Sequence, residues 1–417
     1  MQKLVIKGGK KLRGEIHTQG AKNAALPIMA ASVLCGEKVV LHNCPRISDV
    51  YSAMRILTYL GCKAGYEENS VVIDPTNINC SSVPEELMRE MRSSIFFLGA
   101  VIGRTGKCRL SLPGGCDLGP RPVDIHISAL RKMGVRIREE YGGLDCSVEK
   151  RLIGAKITLS FPSVGATENV ILDAVLEEGT TVISNAAREP EIIDIAEFLN
   201  KCGAKIHGAG GSRITITGVK KLHGCEYTVM PDRIACATYL ACAASTGGEL
   251  VVTDCRPTDM ESILPVFEQM GCVVHTLEDK IFFSAKHPLH AVAPIRTMVY
   301  PGFPTDAQAF VMAVLCKAKG TSVFVENIFE NRYKHVAGLT RMGADILIEG
   351  KAAVIEGVNR LYGVKTEAPD LRGGAGLVTA ALAAEGTSEI SALYHIDRGY
   401  EGNEKVRTSI GADIKRM

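Results

Sequence analysis

Six stretches of the chain are rich in alanine and apolar nearly all the way round a helical turn. They run from Ala24 to Leu34, Ile95 to Ile102, Val170 to Leu176, Ala235 to Ala243, Ala309 to Leu315 and Leu377 to Ala384. A surface helix keeps one polar face, so these six are predicted to be buried on every side. Each is followed by a glycine, at 36, 106, 179, 248, 320 and 386. A β-branched run then reads as a strand, as in Thr180-Thr-Val-Ile-Ser or Thr321-Ser-Val-Phe-Val. A polar loop and a second helix come next. That helix ends in a recurring phrase: Leu60-Gly-Cys-Lys-Ala, Met133-Gly-Val-Arg-Ile, Cys202-Gly-Ala-Lys-Ile, Met270-Gly-Cys-Val-Val, Met342-Gly-Ala-Asp-Ile, Ile410-Gly-Ala-Asp-Ile. Its glycines stand at 61, 134, 203, 271, 343 and 411, each 68 to 73 residues after the last. The phrase predicts a glycine-capped helix end leading straight into a strand.

A period near 70 is too long for a thin solenoid. Six βαβαββ-like units are better arranged as two clusters of three, with the buried helices inside and the sheets outside. The predicted fold is therefore α/β, a two-domain inside-out α/β barrel with three repeats per domain. A chain of 417 residues also exceeds one ordinary core and suits two domains of about 200 residues. The third unit closes near 227–231. The sixth stops at Met417 before its last strands, and the opening run from Leu4 to Ile16 is expected to supply them. The expected domains are 22–229, and 1–21 joined with 230–417, with the active site in the cleft between them.

Composition narrows the function classes. Net charge is +2, with 46% hydrophobic and 23% charged residues, which argues against a general polyanion or nucleic-acid binder. No apolar run approaches the roughly 18 residues of a membrane span, and no signal-peptide core opens the chain, so a cytoplasmic, reduced setting is expected. The 14 cysteines contain no Cys-x-x-Cys pair, and His287 and His290 lie in a Pro-containing polar turn, so no metal site is expected. No Gly-x-x-x-x-Gly-Lys-Ser/Thr phosphate loop occurs. Gly208-Ala-Gly-Gly211 reads as a hairpin turn between two strands.

Charge enters the repeats at one place. Fourteen residues before the glycines that end the buried helices stand Lys22, Arg92, Gly165, Arg233, Asp306 and Arg372, with Gly247 as the fourth-unit reference. Five of the six buried helices thus begin with an ionisable residue. Buried helices otherwise avoid charge, so these ends must reach water or a ligand. Free N–H groups and the helix dipole make such ends anion sites. Asp232 and Asp370 have an equally good reading as N-caps. Capping does not explain Lys22 or Arg92, because a cation at a helix start opposes the dipole; a bound anion would offset that cost.

The loops after the second-glycine strands carry Arg46, Arg121, Arg188, Arg256, Arg332 and Arg398. Arginine forks match carboxylate and phosphate bidentately, although Arg188 and Arg256 sit beside local acids or Pro and read as structural. The second loop is the longest. It contains Leu112-Pro-Gly-Gly-Cys-Asp-Leu-Gly-Pro-Arg-Pro-Val-Asp124, whose three glycines and three prolines forbid a regular helix or strand. Cys116 has no apolar cushion there, and Arg121, Asp124 and His126 follow. A nearby guanidinium favours the thiolate, so Cys116 is a candidate for chemistry. Cys35, Cys236, Cys242 and Cys316 lie in apolar runs and read as packing residues. The enlarged loop is placed to act as a lid.

Motifs along the whole length agree with one family. Gln19-Gly-Ala-Lys-Asn-Ala, Leu112-Pro-Gly-Gly-Cys, Gly119-Pro-Arg-Pro-Val-Asp, Ser163-Val-Gly-Ala-Thr and Asn185-Ala-Ala-Arg-Glu-Pro-Glu carry the first half of the resemblance. Phe303-Pro-Thr-Asp, Phe329-Glu-Asn-Arg, Thr366-Glu-Ala-Pro-Asp-Leu-Arg and Tyr394-His-Ile-Asp-Arg-Gly-Tyr carry the second. Together the chain resembles the UDP-N-acetylglucosamine 1-carboxyvinyltransferases, enolpyruvyl transferases that open peptidoglycan synthesis and share the inside-out barrel fold.

That resemblance implies the partners phosphoenolpyruvate and UDP-N-acetylglucosamine, and no metal or organic cofactor. Lys22 and Asn23 would hold phosphoenolpyruvate, and Arg121 and Arg398 its phosphate and carboxylate. Cys116 would give a proton to the methylene carbon and form a covalent adduct, while Asp306 would take the proton of the sugar hydroxyl. Arg92, Arg121, Pro122, Val123, Asp124 and Ile125 match the family's UDP-sugar contacts. So do Phe161, Ser163, Val164, Gly165 and Ile328. Asp370, Arg372 and Arg332 would line the cleft. One departure concerns Phe161, where some members carry a lysine. Neutralisation of the pyrophosphate would then fall to backbone N–H groups or nearby arginines. Two alternatives stand beside this reading: a shikimate-3-phosphate enolpyruvyl transferase, and a catalytically silent regulator that binds the nucleotide sugar. Oligomeric state is not legible.

Overall fold

The computed structural model describes residues 2–113, 123–140, 142–149, 152–286 and 288–417. They fall into two compact units, one of residues 20–113 and 123–230, the other of 2–19 and 231–417. Each unit holds three four-stranded sheets and three buried helices. In the first unit the buried helices are Lys22–Ala31, Phe96–Thr105 and Val164–Ala174. In the second they are Arg233–Thr246, Thr305–Leu315 and Leu371–Ala383. Burial on all sides follows from their composition: every residue of Arg233–Thr246 except Thr246 is buried. The fold is thus the α/β architecture that the repeats predict.

All six sheets share one strand order. In the third, Lys156–Thr158 runs parallel to Thr180–Ser184, which pairs antiparallel with Arg213–Thr217, which pairs antiparallel with Lys205–His207. Gly208 to Gly211 lie in the turn of that last hairpin, as expected. Alternation sets which face is buried. Thr180–Ser184, Thr321–Val325 and Thr387–Ser391 show the same pattern, with Thr181 and Ile183, Ser322 and Phe324, Ser388 and Ile390 turned inward.

The opening run is shared between two sheets rather than given to one. Leu4–Lys7 completes the sixth sheet, antiparallel to both Thr387–Ser391 and Asp413–Arg416. Arg13–His17 instead leads the fourth sheet, parallel to Glu249–Thr253. The expectation that Leu4 to Ile16 would finish the sixth unit is therefore half corrected. The cause is local: Gly9 has φ +89°, and a Cβ on Gly8 would lie 2.2 Å from the Ala384 carbonyl oxygen, so the strand must break there. In the other unit Glu226–Thr228, at its far end, leads the first sheet beside Val39–His42.

The six phrase glycines all have positive φ, between 93° and 103°. The earlier set is mixed: Gly106 caps its helix directly with φ 72°, whereas Gly179, Gly320 and Gly386 have positive φ but follow helix ends at Val175, Cys316 and Ala384. Gly36 is not a left-handed cap, because its helix runs on into the 3-10 turn Ser32–Leu34 and leaves through an extended Cys35. In the fourth unit the left-handed cap is Gly247, φ 68°, not Gly248. Cys35, Cys236, Cys242 and Cys316 are fully buried, as their surroundings predict.

Glycine also sets how closely the buried helices approach. A Cβ on Gly99 would lie 2.4 Å from the Asn169 carbonyl oxygen of the next buried helix, and one on Gly376 2.7 Å from that of Ala309. Alanine at an exposed helical position would gain about 1 kcal/mol over glycine. Here overlap with a backbone carbonyl outweighs that gain. Gly99→Ala is expected to lose about 1–3 kcal/mol, read as a lower urea midpoint with an unchanged m-value.

Candidate active site

The repeat position that predicts polar helix starts is occupied as expected: Lys22, Arg233, Asp306 and Arg372 are the first or second residues of their helices. Arg92 opens the 3-10 turn Arg92–Ile95 that runs into the second buried helix, and Gly165 is the second residue of the third. What surrounds them differs between the two units.

In the unit of residues 20–230, Lys22 is buried and its Nζ lies 2.8 Å from Oδ2 of buried Asp49. A cation at a helix start therefore has an internal counter-charge, where the sequence suggested that a bound anion would offset its cost. Asn23 beside it is exposed. Arg92 is half-buried and its Nη1 reaches the Pro113 carbonyl at 3.5 Å, at the foot of the Gly-Gly-Cys segment. Cys116, Arg121 and Pro122 lie outside the described residues. Val123 is buried and precedes the helix Asp124–Lys132; Asp124 is exposed and Ile125 half-buried. Phe161 is 45% exposed, so its aromatic ring faces solvent. Ser163 caps the third buried helix, accepting the Ala166 N–H at 3.3 Å, and Val164 is half-buried behind it.

His126 fills the one repeat position that lacks an ionisable side chain. A Cβ on Gly165 would lie 3.0 Å from its Cε1, so a larger residue there would press on the ring. Burial, then the nearby Arg92 cation, pushes its pKa down to about 4, partly opposed by Asp124, so the imidazole is neutral at pH 7. Its tautomer follows from hydrogen-bond accounting. Asn169 Oδ1 accepts the Gly99 N–H at 2.7 Å, so Asn169 Nδ2 must donate to His126 Nδ1, 2.9 Å away. The ring proton therefore sits on Nε2, beside Gly165 at the start of the third buried helix.

In the unit of residues 231–417, Asp306 is gripped by two buried arginines. Arg332 Nη2 donates to Oδ1 at 2.8 Å; Arg372 Nε and Nη2 donate to Oδ2 at 3.3 and 3.2 Å. Opposite charge within hydrogen-bond reach favours the carboxylate over the acid. Burial disfavours a charged Arg372, but Tyr400, Asp306 and Asp232 outweigh it and hold its pKa above the usual arginine value. Arg332 also donates through Nε and Nη2 to the Thr305 carbonyl, which fixes its plane. The two readings of the helix-start aspartates resolve towards capping: Asp370 Oδ1 accepts the N–H groups of Arg372 and Gly373, and Asp232 Oδ1 those of Ile234 and Ala235. Arg332 Nη1 lies 3.8 Å from the same Asp370 oxygen.

Sequence reasoning missed the residue that ties this cluster to Ile328. Glu326 is buried; its Oε1 accepts Thr297 Oγ1 and the N–H groups of Ile328 and Phe329, and its Oε2 accepts Thr305 Oγ1. One carboxylate thus anchors both the loop carrying Ile328 and the helix start carrying Asp306. Arg398, the last residue of the 3-10 segment Leu393–Arg398, is half-buried. Among the described residues no group of three or more His, Cys, Asp or Glu could hold a metal ion, and no helix is long and apolar enough to cross a membrane.

Comparison with known proteins adds an independent line. The EPSP synthase (3-phosphoshikimate 1-carboxyvinyltransferase) family profile matches residues 6–406. A UDP-N-acetylglucosamine 1-carboxyvinyltransferase 2 from Caldanaerobacter subterraneus subsp. tengcongensis is 50% identical over 417 residues, all of both chains. A UDP-N-acetylglucosamine 1-carboxyvinyltransferase from Nitratidesulfovibrio vulgaris is 46% identical over 416 residues, spanning 100% of this chain and 99% of that one. The crystal structure of the enolpyruvyl transferase NikO from Streptomyces tendae superposes with a TM-score of 0.90 at 24% identity, covering 100% of this chain and 99% of the other, which speaks for the fold. With motifs, fold and full-length identity in agreement, the chain belongs to the UDP-N-acetylglucosamine 1-carboxyvinyltransferase family of enolpyruvyl transferases.

Proposed function

We propose that the chain transfers the enolpyruvyl group of phosphoenolpyruvate to the 3-hydroxyl of UDP-N-acetylglucosamine and releases phosphate. The observation that carries this reading is the Asp306 carboxylate, its side chain 29% exposed and paired with both Arg332 and Arg372 at a buried helix start. The full-length relatives, 50% and 46% identical to this chain, bear the sugar-nucleotide name, not the shikimate one.

The chemistry is an addition followed by an elimination. The sugar O3 attacks C2 of phosphoenolpyruvate while C3 gains a proton, giving a tetrahedral intermediate. Loss of phosphate from C2 and of a proton from C3 restores the double bond. Asp306 takes the O3 proton, and Cys116 supplies the proton to C3. Lys22, Asn23, Arg121 and Arg398 hold the phosphate and carboxylate of phosphoenolpyruvate. Arg92, Pro122 to Ile125, Phe161, Ser163 to Gly165 and Ile328 hold the sugar nucleotide, with the capped helix start at Ser163 offering N–H groups where Phe161 brings no charge. Asp370, Arg332 and Arg372 support this cluster. The same reading implies a cytoplasmic enzyme at the head of peptidoglycan synthesis and a target for fosfomycin, an epoxide that alkylates thiols.

Phosphate release measured with both substrates tests the reading. Release is expected only when UDP-N-acetylglucosamine is present, and a protein that binds the nucleotide sugar but releases none is a regulator instead. Cys116→Ser is expected to lose most turnover and all covalent adduct by mass spectrometry. Cys116→Asp, which still donates a proton, is expected to keep turnover and resist fosfomycin; sensitivity of that variant would contradict the role of the thiol.

A further inference from the structure

Arg372 reaches Asp306 with two of its nitrogens; the third is committed elsewhere. Its Nη1 donates to the hydroxyl of Tyr400 at 3.1 Å, and that hydroxyl lies 2.9 Å from Thr238 Oγ1. All three side chains are buried, Thr238 completely.

Proton accounting gives this chain a direction. Thr238 has a single hydroxyl hydrogen, and it donates it to the Ile234 carbonyl at 2.7 Å, along the fourth buried helix. The Tyr400 hydrogen must therefore point at Thr238 Oγ1. That leaves the Tyr400 oxygen lone pairs facing Arg372 Nη1. The order is fixed: Asp306 accepts from Arg372, Arg372 donates to Tyr400, Tyr400 donates to Thr238, Thr238 donates to a backbone carbonyl. Chains of this kind strengthen each member and resist rotation of any one. The Tyr400 ring adds a second hold, with the Arg372 guanidinium carbon 5.4 Å from its centroid. Beneath it the fully buried Arg407 lies 5.8 Å from the same ring and 5.4 Å from that of Tyr239, which fixes the Tyr400 plane in turn.

We propose that Tyr400 is a positioning residue for enolpyruvyl transfer: its hydroxyl holds the Arg372 guanidinium in register with the Asp306 carboxylate. The proposal rests on the transferase reading above. It concerns the hydroxyl alone, because phenylalanine would keep both ring contacts. Without the hydroxyl, Arg372 Nη1 is a buried donor with no acceptor, and the guanidinium turns to find one. The Nε and Nη2 pair then no longer meets Oδ2 squarely. A misplacement of this kind costs up to about a hundred-fold in rate.

The test is Tyr400→Phe, assayed for phosphate release at saturating substrates, with UDP-N-acetylglucosamine affinity measured separately by calorimetry. The expected result is a kcat about ten- to a hundred-fold lower with a KM and a nucleotide-sugar affinity within two-fold of the unsubstituted protein. A crystal structure of the variant is expected to show Arg372 rotated and its contacts to Asp306 lengthened. Unchanged kcat together with unchanged Arg372–Asp306 contacts would overturn the proposal. Should Tyr400→Phe not fold, Thr238→Val removes the acceptor of the Tyr400 hydrogen and is read the same way, with a smaller loss expected and an unchanged kcat again counting against it. Failure of the transferase reading looks different: the unsubstituted protein itself releases no phosphate.

Discussion

Replacing Asp306 by asparagine is expected to slow phosphate release from phosphoenolpyruvate by about a hundred- to ten-thousand-fold, the range that a positioned general base supplies. Shape is nearly unchanged, so packing is not the cause. The amide oxygen can still accept from Arg332 Nη2. The amide nitrogen, however, replaces an acceptor, Oδ2, with a donor that faces Arg372 Nε and Nη2. Two things are lost together: the group that takes the O3 proton, and the anion that balances two buried cations. Some stability is expected to go with the second, because an unpaired buried charge is costly. The discriminating measurement is kcat at saturating substrates beside UDP-N-acetylglucosamine binding by calorimetry, at a temperature well below the melting point of the variant. Wild-type kcat in Asp306→Asn would mean that another group is the base.

The second large effect concerns stability and pH. Asp173, in the third buried helix, is fully buried, and neither of its carboxyl oxygens has a hydrogen-bond partner; Glu177, one turn on, has one oxygen in the same state. Burial pushes the Asp173 pKa up to about 8. Burial, and then the Asp173 charge, pushes Glu177 up to about 9. The unfolded chain would release these protons near pH 4. Between about pH 4 and pH 8 to 9 the folded state binds more protons than the unfolded one, so stability falls as pH rises through that window and levels off above it. Asp173→Asn removes one of these linkages. It is expected to stabilise the protein by about 2–4 kcal/mol at pH 8, with the gain shrinking towards zero near pH 4. Urea unfolding at the two pH values checks this, and an equal gain at both would remove titration as the cause.

Much of this molecule is legible along the chain because its signals are local. Apolar runs without a polar face, glycines that end helices and β-branched runs after them each report on a few consecutive residues, since burial period and backbone hydrogen bonding repeat every 3.6 or 2 residues. Hence the six buried helices and the ionisable residue at the start of five of them could be placed from residue order, and Asp306 and Arg372 singled out. The roles of Asp232 and Asp370 could be narrowed to two and no further, because capping and ligand contact demand the same residue at the same place.

The partners of those residues needed the tertiary structure. Asp49 meets Lys22 from the next helix, Arg372 meets Asp306 across 66 residues, and Thr238 meets Tyr400 across 162. No period in the sequence marks such pairs. Glu326 sits in an ordinary strand end, Tyr400 closes a motif as one more aromatic, and Arg13–His17 gives no sign that it leads the fourth sheet rather than ending the sixth. Local composition by itself determined which segments are helices, which are buried and where charge enters them. Which charge faces which was decided only when segments distant in sequence packed together, because a Coulomb or hydrogen-bond partner is set by distance in space.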